Sequence, residues 1–271
     1  MLDDLTTYRL HDFLLFDAET YQRLFALMNE PLWLLPSVTV LAGLATLAAL
    51  LASLPIAMRA AAAVLAAAFA LTGAAFFLGV YATINWAAVY PAWLFFGQAG
   101  LLVAVGTLAG RLDPIADRAS LRALLGTIVT LYALTVHPLT GFAAGRAWAG
   151  LEWFGLAPDP TALAALGFLS FSLSRWRFVL ALAPFLWLVV SILTLWTLGL
   201  TIEAILLAAG SSLGIVALFL PAWAPTVRAS EERGRYEPVP ASADRQARPA
   251  GPPKPATLVP TSPLRSGTRS R

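Results

Sequence analysis

The chain contains no cysteine, which removes disulfides, thiolate metal sites, iron–sulfur clusters and cysteine nucleophiles together. Lysine is nearly as scarce. Of the 18 basic residues only Lys254 is lysine, and the rest are arginine. A phosphate-binding loop ending in Gly-Lys-Ser/Thr is therefore absent, and with it a built-in ATP motor. Charge of either sign is thin, at 12% of 271 residues, where an ordinary soluble domain carries about 25%.

What fills the chain instead is apolar: 59% of residues are hydrophobic and the mean hydropathy is +0.74. These residues collect in uncharged runs near the ~20 residues one helix needs to cross hydrocarbon. Barrel strands alternate apolar and polar residues, and these runs do not. The sequence predicts an all-α, polytopic transmembrane helix bundle. Seven spans are expected, near 32–56, 60–80, 91–110, 123–136, 161–173, 178–198 and 201–223. The alternative is six, with the short segment 161–173 re-entrant.

Residues 1–31 precede the first span and are acidic, unlike the basic opening of a signal peptide. Asp17 is placed to cap a short amphipathic helix in which Tyr21, Leu24, Phe25 and Met28 share a face. That helix suits either the membrane interface or a seat on the bundle. The spans occupy 32–223. Segment 224–271 is rich in Pro, Ser and Arg and poor in large apolar residues, so it is expected to be a disordered tail. Gly106 with Gly110, and Gly210 with Gly214, have the spacing that lets membrane helices approach closely.

With seven spans, Arg9, Arg23 and Arg146 fall on one side of the membrane. The other side receives Arg59, Arg111, Arg118, Arg122, Arg175 and Arg177, followed by the basic tail. The positive-inside rule puts this second side in the cytoplasm, so the C-terminus is expected inside and the N-terminus outside a cell membrane. Half of the basic residues lie in the tail, which reads as contact with anionic lipid or a protein partner rather than with nucleic acid.

The candidate site residues follow from this arrangement. Turn 81–90 carries no charge and sets Asn85 beside Trp86 between Tyr81 and Tyr90. Asn85, Trp86, His137, Glu152, Asp159 and Glu203 all fall near the outer face, and Gln98 is the most polar side chain inside a span. Together they suggest a shallow site that binds, or exchanges protons with, a small polar ligand. Each also has a plainer reading. Trp86 suits an interfacial aromatic belt, Asn85 a turn, Asp159 a helix cap before Pro160, and Glu152 a pair with Arg146.

His11 and His137 are the only histidines, and they lack the helical spacing of a haem or metal pair. No cofactor, metal or catalytic residue is assigned. No Asp, Glu, Lys or Arg falls near the expected midplane, which disfavours an ion-coupled carrier. The expected function is a carrier or binding protein for a small molecule. The alternatives are a structural or partner-binding role, and a membrane enzyme using Glu152 and His137.

Three segments carry a family resemblance: Tyr8-Arg-Leu-His-Asp-Phe-Leu-Leu-Phe with Tyr21–Phe25, then Tyr81–Ala88, then Phe154–Thr161. In order and spacing the chain resembles an uncharacterised prokaryotic family of multipass membrane proteins, known only as a domain of unknown function. The resemblance covers roughly residues 8–220. It implies a membrane protein and supplies no catalytic residues. Some relatives carry a transporter-permease label.

Overall fold

The computed structural model describes residues 16–221. His11 and the segment 224–271 lie outside this range. Among the described residues there are helices and no strands, and the chain forms an all-α membrane bundle.

Helix α1, Ala18–Asn29, begins where the Asp17 carboxylate accepts the Thr20 backbone N–H at 2.8 Å. That hydrogen bond holds the Asp17 carboxyl below its ordinary value. Tyr21, Leu24, Phe25 and Met28 are all buried, so the amphipathic face read from the sequence packs on the bundle. Helix α2, Leu35–Leu51, carries no charged residue and is 17 residues long, or roughly 26 Å. Five further helices are long and apolar enough to cross a membrane: α3, Ala57–Thr83; α4, Trp86–Leu108; α5, Leu121–Ala143; α7, Trp176–Thr197; and α8, Thr201–Phe219. The outward faces of α2 and these five helices expose large apolar side chains such as Leu41, Val103, Leu131, Val190 and Phe219. That surface suits contact with lipid.

Helix α6, Pro158–Leu169, is different. It has only 12 residues, every one of them buried, and spans about 18 Å. The irregular segment leading into it is buried too, so all of residues 151–172 are enclosed. Irregular backbone at such depth needs partners inside the protein. Asn29 supplies two, donating its amide to the carbonyls of Ala149 at 2.7 Å and Leu151 at 2.8 Å. Thr161 Oγ1 accepts the Gly155 N–H at 2.8 Å and donates to the Ala157 carbonyl at 2.7 Å. Gly155 itself turns with φ +81°, and a Cβ there would stand 2.9 Å from the Thr39 methyl. Only glycine meets both demands.

The connections collect at two ends of the bundle. At one end α1 meets the 81–88 turn through Tyr21 and Tyr81, whose rings lie 6.1 Å apart, and meets the 144–151 loop through Asn29. At the other, Leu173 N–H donates to the Asp113 carbonyl at 2.7 Å, Arg118 reaches Ser53 at 3.2 Å, and Arg177 reaches the Leu218 carbonyl at 3.2 Å. Buried Arg122 donates to the Ser172 carbonyl at the same end. Among the described residues, seven segments run between these two ends. The fifth is the broken one, made of an irregular entry followed by α6.

Several boundaries differ from those expected. The fourth pass does not stop at His137-Pro138 but runs on to Ala143, with residues Tyr132–Val136 in a wider π-helical turn. Pro138 has no N–H for the Leu134 carbonyl and its ring crowds that carbonyl, so the helix opens before it. Gly106 sits at a close helix contact, where a Cβ would meet that of Ala62 at 2.4 Å. Gly110 instead ends α4 with φ +59°, beneath the Arg59 guanidinium.

Candidate functional site

The site is built mostly from the end of α5, the 144–157 segment and the start of α6, with α7 alongside. Pro138 and the π-turn set His137 on the inner face of α5. The following loop folds back, and Glu152 Oε2 comes to 3.4 Å from His137 Nε2. Arg146 Nη1 donates to the other oxygen, Glu152 Oε1, at 2.9 Å. Asp159 completes the group from the first turn of α6. One donor atom from each of His137, Glu152 and Asp159 lies within 4.8 Å of the other two. Their exposures are 7%, 6% and 1%. Three ionisable side chains are thus enclosed together inside the bundle.

Asp159 was expected as a helix cap, and it is not one. The N-cap is Ala157, and Pro158 takes the first helical position. Both oxygens of Asp159 face α7 instead: Oδ1 accepts Trp187 Nε1–H at 2.8 Å and Oδ2 accepts the Ser191 hydroxyl at 2.7 Å. Trp187 and Ser191 are four residues apart, one above the other on a single helix face. Trp187 is further pinned by Phe77, with ring centroids 4.8 Å apart, and by Phe95 at 5.8 Å.

Trp187 and Ser191 also line a cavity of about 190 Å³, bounded as well by Tyr21, Tyr81, Asn85 and Thr194. Asn85 has a double role there. Its Oδ1 accepts the Ala87 N–H at 3.0 Å, shaping the turn, and its amide donates to the Tyr81 hydroxyl at 3.2 Å. The cavity and the cluster therefore share one wall, made of the two side chains that hold Asp159.

His137 Nδ1, Arg146 Nε and, on the ring beside His137, Tyr132 Oη are buried with no hydrogen-bond partner. His137 Nε2 meets Glu152 Oε2 in a contact whose direction depends on the imidazole tautomer, and His137 Nδ1 has no partner. Leaving such a group dry and unpaired is costly.

The structure brings His137, Glu152 and Asp159 together and sets Asn85 on the adjoining cavity. The remaining candidates stand apart. Trp86 is 72% exposed, edge-on to Tyr90. Gln98 is committed to the Leu180 carbonyl at 2.7 Å. Glu203 borders a separate hollow with Thr140 and Ala143. Glu152 and Asp159, expected near the outer face, are enclosed within the bundle because residues 151–172 are buried among the helices. Trp187, Ser191, Tyr21 and Tyr132 were not anticipated as neighbours. Only the i, i+4 spacing of Trp187 and Ser191 in an apolar span hinted at a shared polar task.

A family model described as "Family of unknown function (DUF6064)" matches residues 18–229. The chain belongs to this family. The DUF6064 match contains every residue of the cluster and cavity; the Tyr8–Phe16 segment precedes it, and most of the basic tail follows it. No curated protein and no solved structure matches the chain.

Proposed function

We propose that this protein is a carrier-type binding protein of the cell membrane, and that the species it holds at His137, Glu152 and Asp159 is a small cation, either a proton or a metal ion. One observation carries this reading: two carboxylates, Glu152 and Asp159, are enclosed together, and the one arginine paired with the group, Arg146, meets only Glu152. Uncompensated charge in a dry interior is strongly unfavourable. With neutral His137 the group has one negative charge too many, and a bound proton or metal ion supplies what is missing. The neighbouring cavity, walled by Trp187 and Ser191, is the approach. The broken fifth pass supports the same reading, since secondary carriers build their sites from discontinuous crossings that begin inside the membrane.

In this reading all seven passes cross the bilayer. Among the described residues, Arg59, Arg111, Arg118, Arg122, Arg175 and Arg177 lie at one end, against Arg23 and Arg146 at the other. The basic end is cytoplasmic and the cavity opens toward the outside.

The test is flux into proteoliposomes loaded with a pH-sensitive or a zinc-sensitive dye. Wild-type protein dissipates an imposed proton or zinc gradient faster than protein-free vesicles, and Asp159→Asn slows this at least tenfold. Wild-type vesicles no leakier than protein-free ones to either cation would remove the carrier role.

A further inference from the structure

We infer that His137, Glu152 and Asp159 are the protein ligands of a divalent transition-metal ion. The inference rests on the cation-site reading above and goes further by naming the cation.

Geometry comes first. Metal–nitrogen and metal–oxygen bonds of zinc are about 2.0–2.2 Å, so donors around one ion lie roughly 3.4 Å apart. The three donor atoms here fall within 4.8 Å of one another. Drawing them together by about an ångström needs side-chain adjustment and no change of fold.

The donors are also held as metal ligands usually are. Trp187 and Ser191 fix both oxygens of Asp159, and Arg146 takes Oε1 of Glu152 while Oε2 faces inward. Such outer partners orient ligands and are as much part of a metal site as the ligands themselves. The second, independent sign is unpaired polarity. His137 is more than nine-tenths buried and its Nδ1 has no partner, and the buried Tyr132 hydroxyl oxygen, on the ring beside His137, is likewise unpaired.

The donor chemistry selects among metals. One imidazole and two carboxylates suit zinc, manganese or iron(II). Calcium and magnesium favour all-oxygen shells, and copper(I) favours sulfur. Three protein ligands leave at least one position open for water. With the two carboxylates and Arg146, a divalent ion leaves one net positive charge. Were a water bound there, loss of its proton to bulk would bring the group to neutrality.

The experiment uses the full chain in detergent, stripped with chelator and then dialysed against zinc or manganese chloride. Metal content is counted by elemental analysis, and folding is followed by circular dichroism. Wild type is expected to retain one equivalent and to gain several degrees in Tm with metal. Asp159→Asn and His137→Gln should each weaken binding at least tenfold while remaining folded, and Glu203→Gln, at the separate hollow, should bind as wild type. Cobalt(II) substitution adds a visible absorption band that the two cluster variants lack. Folded wild type that retains no metal, or equal retention in wild type and both cluster variants, overturns the assignment. Proton flux without metal binding would remove only the metal, whereas metal binding without flux would remove only the carrier role.

Discussion

Gln98 of α4 donates its side-chain amide to the carbonyl of Leu180 at 2.7 Å, and Leu180 lies four residues before Pro184 in α7. In an unbroken helix the N–H of residue 184 would serve that carbonyl, but proline has none. A side chain from the neighbouring helix fills the gap, as the dry interior requires. The most polar side chain inside a span is thereby a structural part. Gln98→Leu is expected to cost about 1–3 kcal/mol, read as a lower Tm in detergent. Pro184→Ala restores the backbone donor and should recover most of that loss. If the two substitutions instead cost independent, additive amounts, the amide is not serving Leu180.

The crossing of α5 and α6 depends on a glycine the sequence did not single out. A Cβ on Gly167 would stand 2.3 Å from Thr130 Oγ1 and 2.9 Å from the Thr130 backbone nitrogen. Gly167→Ala must push the two helices apart, at about 1–3 kcal/mol or more. Gly97 meets nothing within 4 Å, so Gly97→Ala should be neutral or stabilising by up to about 1 kcal/mol from helix propensity. Equal effects at the two positions would contradict the close contact.

Arg146 and Glu152 form an enclosed pair, their side chains 11% and 8% exposed. Removing only the cation leaves Glu152 facing Asp159 with His137 alone between the charges. Arg146→Ala should therefore cost about 3–5 kcal/mol. Joining it to Glu152→Leu should recover part of that amount by removing the unpaired carboxylate, while the lost arginine volume keeps the double variant below wild type. The check is a double-mutant cycle followed by chemical unfolding in detergent.

The absence of cysteine makes the topology directly measurable. Thr83→Cys and Ala147→Cys place thiols at the end bearing the cavity, and Ala116→Cys places one at the opposite end; all three positions are exposed. With a membrane-impermeant thiol reagent on intact cells, the first two should label and Ala116→Cys should label only after lysis. The reverse pattern would turn the cavity toward the cytoplasm.

Composition and run length were enough to determine the class of this protein. Long uncharged segments have no soluble fold that buries them and few ways to satisfy their backbone in lipid, so a helix bundle followed from the sequence. The face of α1 was legible because Tyr21, Leu24, Phe25 and Met28 keep a helical period and Asp17 stands where a cap is needed. The candidate residues His137, Glu152 and Asp159 were legible as types, being rare charges among apolar neighbours. Their meeting was not. It depends on Pro138 widening α5, on Gly155 and Asn29 letting irregular backbone sink between helices, and on Trp187 and Ser191 drawing Asp159 away from a cap. Each is a contact between distant parts of the chain. Hydropathy averaged along a sequence places residues 151–157 at the surface because they are irregular. Only the tertiary structure, by giving that backbone its hydrogen bonds inside the protein, takes them and their charges into the interior.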